Sequence, residues 1–405
     1  MAEPIAAERI PLRIEWAVYA SGYLSTSMQN MAGLLIPLWV VVTFHPTPFM
    51  VGIILGARHF LPTLLSIHGG AMMDHLGAKQ VMVASAILAV VVHLIYPVTP
   101  WIWAVIILQM LGGLAVTTSW MGTQTLIGQV MKGSATHSGR LSAVALMGNL
   151  TVPPIVGAAW DHFGSWGGYL TMSLWAAGLV AAALVLPAPS AELSRATDRL
   201  RARDFIPRAR SYIEAFALLS VPAIAMVVML SILRNSTYAI RGSFYVVYLD
   251  SINLTGTEIG VLLAASGLVG SGAALLTGRM TKVVNPIVLL LLTVGTTIFF
   301  MAIPPLTDKY LILLLIIVLW GASAAMSMSL MFSTLSKAAD ARSQGKSVGL
   351  RLTANRMAAT VLPVIMGAVA DVSGVNASFL IVGGALLLML MGVAFFSRRV
   401  VAEAR

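Results

Sequence analysis

The chain lacks cysteine and carries very little charge. It has no Cys among its 405 residues, which excludes a disulfide framework, a thiol nucleophile and a cysteine metal site. Asp, Glu, Lys and Arg make up only 10% of the residues, whereas soluble globular domains average about 25%. Such a chain cannot cover a water-exposed surface, so a soluble enzyme and a disordered protein are excluded. The net charge of +10 comes from 25 thinly spread Lys and Arg residues, which form no basic stripe of the kind that binds nucleic acid.

Long apolar runs dominate the sequence instead. Apolar residue types make up 58% of the chain, and a membrane-spanning helix needs about 20 mostly apolar residues. The twelve candidate spans, numbered in chain order, are 15–42, 48–71, 80–98, 101–124, 139–160, 167–188, 218–249, 257–277, 284–304, 310–333, 347–370 and 376–396. Prolines inside some spans are compatible with helices, because neighbouring helices can satisfy the freed backbone groups. We therefore predict an all-α membrane protein with twelve transmembrane helices.

The placement of Lys and Arg predicts the orientation of these spans. If the N-terminus is cytoplasmic, 19 of the 25 Lys and Arg residues lie in cytoplasmic segments, Lys309 lies in an external loop, and five lie within spans. Cytoplasmic loops carry an excess of these residues. We therefore expect a bacterial-type inner (plasma) membrane with both termini in the cytoplasm. The start of the chain shows no short apolar core followed by a cleavage site, so we expect span one to be retained.

An internal repeat divides the spans into two halves. Residues 139–164 and 349–374 align without gaps at an offset of 210 residues. The eight identical pairs are Gly139/Gly349, Met147/Met357, Pro153/Pro363, Ile155/Ile365, Gly157/Gly367, Ala158/Ala368, Asp161/Asp371 and Gly164/Gly374. Many transporters are built from such repeats around a central site. We predict two six-helix bundles related by pseudo-twofold symmetry, at 1–188 and 213–405, joined by a cytoplasmic linker at 189–212.

A motif follows span two. The segment Gly70-Ala-Met-Met-Asp-His-Leu-Gly-Ala-Lys79 resembles the loop signature G-x-x-x-D-R/K-x-G-R-R/K of the major facilitator superfamily, although His75 and Ala78 replace basic residues. Twelve spans, a long central loop and a repeat are similar to that superfamily over nearly the whole chain. The resemblance implies the major facilitator fold and a loop Asp that helps to hold one conformation; capping of the next turn is the local alternative. The gating candidates are Gly70, Asp74, Gly77 and Lys79.

Polar stripes mark the spans expected to face the centre. In the superfamily that the chain resembles, spans one, four, seven and ten line the central cavity, and spans two, five, eight and eleven form its walls. Polar residues at helical spacing fall on six of these eight spans. For any single stripe, close packing of helices is the alternative explanation. The substrate-binding candidates are Tyr23, Asn30, Arg58, His59, Gln124, Arg234, Tyr238, Arg241, Trp320, Arg351, Asn355 and Arg356.

All charges within the spans are arginines. They are Arg58, Arg234, Arg241, Arg351 and Arg356, and no Asp or Glu lies near the middle of any span. A charged residue at the centre of a membrane helix costs at least ~2.5–3.5 kcal/mol to insert, so each arginine needs a partner. Arginine binds carboxylate or phosphate with two parallel hydrogen bonds. An anionic substrate is therefore the favoured partner, although an arginine near a span end can instead reach the aqueous phase.

Two transport hypotheses follow from these residues. The first is a secondary transporter that moves a small organic anion, a carboxylate or a phosphate ester, by alternating access. Its coupling to protons or to a counter-anion is left open. The second is proton-coupled efflux of drugs or metabolites. Glu15 and His59 are the proton-coupling candidates, and histidine is suitable because its reference pKa is about 6.5.

Other function classes fit the sequence less well. The polar stripes argue against a membrane receptor or scaffold that transports nothing. No span presents a nucleophile–base pair or a set of metal ligands, so we expect no enzyme, no cofactor and no bound metal. The expected partners are an anionic small molecule and the lipid bilayer, with no nucleic acid, and the expected state is a monomer.

Overall fold

The computed structural model describes residues 10–131, 135–187, 217–338 and 344–403, and the predicted linker at 189–212 lies outside them. All regular elements in the described ranges are helices, which confirms the all-α class. The long helices are Leu12–Phe44 (α1), Pro48–Leu76 (α2), Ala78–Ile95 (α3), Ile102–Gln129 (α4), Ala135–Val185 (α5 before Gly164, α6 after it), Pro222–Arg241 with Phe244–Ser251 (α7), Gly256–Met280 (α8), Pro286–Ala302 (α9), Tyr310–Ala338 (α10), Gln344–Ser373 (α11) and Val375–Glu403 (α12).

These helices coincide with the twelve predicted spans. Within the described ranges, nine helices are long and apolar enough to cross a membrane. One of the nine, Thr136–Val185, has 50 residues and supplies two spans because it turns at Gly164. Helix α9 is apolar but has only 17 residues. Helix α7 is not among the nine; its first part has 20 residues and carries the polar Arg234 and Asn235.

Short sequence signals fix where several helices begin. Thr47 caps α2, and Pro48 occupies its first turn, where the missing N–H of proline costs nothing. Thr255 and Glu258 form a reciprocal capping box at the start of α8, which satisfies two otherwise unpaired N–H groups. The Asn285 side chain accepts hydrogen bonds from the first turn of α9. These caps place helix ends at the membrane boundaries that hydropathy leaves indistinct.

One identical pair of the repeat encodes a turn. Gly164, between α5 and α6, has φ 61°, and Gly374, between α11 and α12, has φ 82°. A positive φ is strained for residues with a side chain and free of strain for glycine. The repeat therefore preserves the same break between two consecutive spans in each half.

The halves meet through two equivalent helix pairs, α2 with α11 and α5 with α8. Within the first half, α1 packs along α5 and α6, and an aromatic cluster fixes its position. The Tyr96 ring stacks on Tyr169 at 4.8 Å, and Trp39 packs edge-on against Tyr96 at 5.5 Å. We call the end where α1 begins the predicted cytoplasmic face and the opposite end the predicted external face.

Candidate functional site

A cavity of about 190 Å³ lies between the two halves. Helices α1 and α2 contribute its walls from one half, and α7, α8 and α11 contribute them from the other. Its lining residues are Gln29, Asn30, Gly33, Leu55, Arg58, His59, Tyr238, Ala239, Arg241, Gly242, Ser243, Leu263, Ala359 and Pro363. Five of the predicted substrate-binding residues therefore share one cavity: Asn30, Arg58, His59, Tyr238 and Arg241.

Two arginines from opposite halves reach this cavity. Arg58 Nη2 donates to the Gln29 carbonyl at 2.9 Å, and Arg241 Nη2 donates to the Leu263 carbonyl at 3.1 Å. The Nε atom of Arg241 is buried and has no hydrogen-bond partner in the part of the chain that the structure describes. A guanidinium carries five N–H donors. The carbonyls therefore anchor the two side chains and leave further donors at the cavity.

Two aromatic rings, Trp320 and Tyr238, pack beside the Arg241 guanidinium. This guanidinium lies 5.2 Å from the centre of the Trp320 ring, which in turn lies 4.7 Å from the Tyr238 ring. On the far side, Arg234 lies over Tyr238 at 4.5 Å. The Trp320 Nε1–H donates to the Thr237 hydroxyl at 3.2 Å. Cation–π contacts of this kind stabilise charge out of water, so Arg234 and Trp320 support the cavity without lining it.

The Asn30 side chain joins the cavity to α5. Its Nδ2 donates to Asn149 Oδ1 at 2.6 Å and to the Thr26 carbonyl at 3.0 Å. These bonds use its amide donors and leave its Oδ1 as the group that can face a solute. The neighbouring wall is formed by His59 on α2. The cavity thus offers cationic, amide and imidazole groups together.

Arg351 and Asn355 lie away from the cavity, nearer the predicted cytoplasmic face. Arg351 is only 2% exposed, and its guanidinium lies 4.8 Å over the Phe332 ring. Asn355 accepts from the Ser231 hydroxyl at 2.8 Å, and its carbonyl accepts from Asn235 Nδ2 at 2.6 Å. In this conformation both residues connect helices of the second half.

Three further predicted residues also lie outside the cavity. The Tyr23 hydroxyl is 3.0 Å from that of Thr151 and links α1 to α5. Gln124 is exposed on α4. Arg356 Nη1 donates to the Pro62 carbonyl at 2.7 Å and so bridges α11 and α2. A polar stripe on a span therefore marks a helix contact as often as it marks the cavity.

Sequence reasoning missed nine of the fourteen lining residues, among them Gln29, Ser243 and Gly33. Gln29 precedes Asn30 and was left off the predicted face, although its carbonyl anchors Arg58. Ser243 lies at the break between the two parts of α7, and the Gly242–Ser243 pair was the available signal for this break. At Gly33, an added Cβ would meet nothing within 4 Å, so this position opens onto the cavity.

Two aspartates connect the two halves at the predicted external face. Asp161, at the end of α5, accepts the Gly256 N–H at 2.7 Å, the Thr257 N–H at 2.8 Å and the Thr257 hydroxyl at 2.6 Å. Asp371, at the end of α11, accepts the Phe49 N–H at 3.2 Å. Each carboxylate therefore sits at the first turn of a helix from the opposite half, where free N–H groups and the helix dipole favour negative charge.

Glycines beside these aspartates allow the backbones to touch. A Cβ on Gly157 would collide with the backbone of Gly256, and a Cβ on Gly367 would collide with that of Pro48. Gly157/Gly367 and Asp161/Asp371 are identical pairs of the repeat. The same Gly–Asp spacing in the two copies of the repeat thus produces equivalent contacts, between α5 and α8 and between α11 and α2.

This architecture matches a known family over most of the chain. The model of the Major Facilitator Superfamily aligns with residues 18–361. The chain belongs to the major facilitator superfamily. It is therefore a multi-pass membrane transporter rather than an enzyme.

Solved structures of other superfamily members share the fold. The nucleoside transporter NupG has a TM-score of 0.78 at 13% identity, covering 95% of this chain and 98% of that one. A bacterial homologue of the iron transporter ferroportin, in an inward-facing state, has a TM-score of 0.68 at 15% identity, covering 96% of this chain and 100% of that one. A bacterial metal transporter has a TM-score of 0.61 at 14% identity, with the same coverage of both chains. No curated protein matches the chain significantly by sequence. At these identities the likeness shows the fold alone.

The superfamily loop motif has a structural role at Gly77 and Lys79. Gly77 ends α2 with φ 90°, a value that favours glycine. The Lys79 ammonium donates to two carbonyls at the end of α6, both at 2.7 Å. Gly70 and Asp74 lie on α2, and their side-chain surroundings are outside the described residues. Lys79 thereby stabilises the junction of α3 and α6.

Replacing Lys79 by methionine is expected to lower the thermal unfolding midpoint. The change leaves the carbonyls of Leu184 and Leu186 without their charged donor. A hydrogen bond to a charged group contributes about 1.5–3 kcal/mol, and we expect about 1 kcal/mol here because Lys79 is half-exposed and water can replace part of the bond. The measurement is unfolding in detergent, with Lys282→Met as the control at an exposed position. Equal midpoints for the two variants would contradict the proposed role.

Proposed function

We propose that this transporter carries a small organic anion, a carboxylate or phosphate-bearing compound, through the central cavity by alternating access. The observation that supports it is the meeting of Arg58 and Arg241, from opposite halves, in a cavity whose described lining contains no Asp or Glu. The halves at 1–188 and 213–405, joined by the linker at 189–212, would rock about this site. We also propose that the protein is a monomer in a bacterial-type inner membrane, with both termini in the cytoplasm.

The charge of the cavity favours an anion for a physical reason. Buried charges need partners, because removal from water is costly for an ion. The carbonyls of Gln29 and Leu263 accept hydrogen bonds but bring no negative charge to balance Arg58 and Arg241. A carboxylate or phosphate supplies both hydrogen-bond acceptors and negative charge, and its oxygens match the planar guanidinium fork.

The size of the cavity favours a small solute. Pockets for drug-sized ligands are usually about 300–1,000 Å³, whereas this cavity has about 190 Å³. The polar groups of Asn30, His59 and Ser243 can orient a compact, hydrated molecule. These features favour a metabolite over a large hydrophobic drug.

Proton-coupled efflux of drugs or metabolites is the second candidate. The observation that favours it is the carboxylate of Glu15 near the predicted cytoplasmic end of α1, where Arg140 and Tyr19 hold it. This function requires a cationic or neutral cargo in place of the anion. The charge of the cargo therefore separates the two candidates.

Ligand-induced thermal stabilisation tests the proposal. Purified protein is screened against carboxylates, phosphate esters, nucleosides, divalent metals and hydrophobic cations, because a ligand that binds the folded state stabilises it. We expect anions to raise the unfolding midpoint and the other classes to leave it unchanged. Stabilisation by hydrophobic cations alone would favour the second candidate and contradict the first.

The arginines provide the decisive variants for this screen. Arg58→Gln and Arg241→Gln keep much of the side-chain volume but remove the charge, so each is expected to weaken anion binding about tenfold to a hundredfold, in line with about 1.5–3 kcal/mol for a charged hydrogen bond. Arg279→Gln, exposed near the end of α8, is the matched control. Unchanged anion binding in both cavity variants would overturn the proposal.

A further inference from the structure

A cluster of titratable side chains lies outside the cavity, where α1 meets α5. The Tyr19 hydroxyl is its centre, 3.0 Å from Glu15 Oε1 and 2.6 Å from His137 Nδ1. Arg140 Nη1 also reaches Glu15 Oε1, at 2.7 Å. The side chains of Glu15 and His137 are 15% and 20% exposed, whereas that of Arg140 is 57% exposed. The side chains of Glu15 and His137 are therefore mostly buried, and a small part of the His137 side chain remains accessible to water.

The two hydrogen bonds of Tyr19 allow an arrangement of protons in which Tyr19 donates to Glu15. A phenol has one proton to donate, and a carboxylate can only accept. When Tyr19 donates to Glu15, its oxygen must accept the remaining bond from a proton on His137 Nδ1. The other ring nitrogen, Nε2, then keeps its lone pair. The chain thus runs from imidazole to phenol to carboxylate, and one basic nitrogen stays open.

Within the part of the chain that the structure describes, the helices around His137 carry few other charged groups. Glu15 and Tyr19 face it from α1, and Arg140 comes from its own helix. Helix α4, which also packs on α1, carries no titratable residue, and α6 carries only Tyr169, near its opposite end. Helix α8, which packs on α5, carries Glu258 in its first turn and Arg279 in its last turn, and α1 also carries Arg13. Glu15 Oε1 lies 3.5 Å from His137 Nδ1, and Arg140 opposes its negative charge.

We propose that Glu15, Tyr19 and His137 form a proton-binding site at the predicted cytoplasmic face. A proton from water binds the Nε2 lone pair of His137, and no other bond is made or broken. The imidazolium charge is stabilised by Glu15, whose Oε1 lies 3.5 Å from His137 Nδ1, and by the Tyr19 hydroxyl that contacts both side chains. The cluster gains one positive charge on loading and loses it on release.

Polar side-chain pairs between α1 and α5 lie between the proposed proton-binding site and the substrate cavity. Further along the interface of α1 and α5, the Tyr23 hydroxyl lies 3.0 Å from that of Thr151. Asn30, which lines the cavity, follows and bonds to Asn149. The proton site and the cavity wall therefore belong to the same pair of helices.

Loading the site is expected to favour the conformation that is open to the cytoplasm. The predicted cytoplasmic segments hold 19 Lys and Arg residues, so one more positive charge there opposes closure of that face. The use of the proton in transport rests on the proposed function, whereas proton binding by the cluster does not. The coupling ion of the transporter is then the proton.

The site is tested on the full-length protein by nitrogen-15 NMR of labelled histidine, with the His137 signal identified by its loss in His137→Gln. The uptake of a proton by His137 is followed as the pH is lowered, and each variant is compared with the parent protein. Glu15→Gln should shift this uptake to lower pH, because it removes the stabilising negative charge. Tyr19→Phe should shift it in the same direction but less, because Glu15 Oε1 still lies 3.5 Å from His137 Nδ1. Arg140→Gln should shift it to higher pH, because it removes a competing positive charge.

The control is the same substitution at a different tyrosine. Tyr169 is buried, and its hydroxyl has no hydrogen-bond partner among the described residues, so Tyr169→Phe should leave the titration of His137 unchanged. The proposal is overturned if Glu15→Gln and Tyr19→Phe both behave like Tyr169→Phe, or if His137 binds no proton as the pH is lowered. Neither result depends on which solute the cavity binds.

The link to gating has its own measurement. Gly33→Cys places a single thiol in the cavity of a chain that has no other cysteine. Lowering the pH should slow its labelling by an impermeant reagent at the predicted external face, and His137→Gln should remove most of this pH dependence. If labelling shows no pH dependence while His137 binds its proton, the coupling role is wrong.

Discussion

Replacing both Asp161 and Asp371 by alanine is expected to open the predicted external face. Each carboxylate holds the first turn of a helix from the other half. Loss of a side-chain cap at a helix start costs about 0.5–2 kcal/mol, and both losses fall on the conformation closed at this face. Since about 1.4 kcal/mol changes an equilibrium constant tenfold, we expect the externally open population to rise roughly tenfold or more.

The Gly33→Cys thiol measures this opening directly. An impermeant thiol reagent added at the predicted external face should label it much faster in the double aspartate variant than in the parent. Single variants should have unequal effects, because Asp161 accepts three hydrogen bonds and Asp371 accepts one. Asp161→Ala is therefore expected to cause the larger increase.

A change at the same helix start that does not touch the other half serves as control. Glu258 belongs to the capping box of α8 and bonds to Thr255 within its own half. Glu258→Gln should therefore leave the labelling rate near that of the parent. Equal rates in the aspartate variants and in Glu258→Gln would show that the carboxylates do not hold the halves together.

Adding a single methyl group at Gly260 is expected to prevent the same closure. A Cβ at this position of α8 would collide with the backbone of Pro153 and Pro154 on α5, and backbone cannot turn aside as a flexible side chain can. Overpacking a tight contact costs about 1–3 kcal/mol. Gly260→Ala should therefore speed external labelling of Gly33→Cys about fivefold to a hundredfold, and slow transport by a similar factor.

Gly272 provides a matched control on the same helix. A Cβ there would meet nothing within 4 Å, so Gly272→Ala adds the same methyl group without a collision. Alanine is also favoured over glycine inside a helix by roughly 0.5–1 kcal/mol. We expect unchanged labelling and an equal or higher unfolding midpoint. If the two alanine variants behave alike, close backbone contact at Gly260 is not required for closure.

Parts of the fold could be predicted from particular residues. The repeat pair Gly164/Gly374 marked a turn that the structure places between consecutive spans, because positive φ favours glycine wherever it occurs. The span boundaries were also predictable, since about 20 apolar residues are needed at any position in a bilayer. The break in α7 was not predicted, because apolar residues continue on both sides of Gly242.

The candidate site was predicted only in part. The absence of acidic residues near the middle of the spans suggested an anionic partner for each arginine, but four of the five donate to backbone carbonyls: Arg58, Arg234, Arg241 and Arg356. Such acceptors leave no trace in the sequence, because every residue has a carbonyl. Only contact between particular helices decides which of them is within reach.

The sequence by itself determined the membrane class, the twelve helices and the internal repeat, in which Asp161 and Asp371 occupy equivalent positions. These properties follow from hydrophobicity and residue spacing along one chain, which need no knowledge of neighbours. Only the tertiary structure decided that Arg241 reaches the cavity while Arg234, two turns away on α7, supports it from behind. The rotation and tilt of each membrane helix are set by packing against other helices, so the grouping of side chains into a cavity, a closed face and a proton site appears only once the helices are assembled.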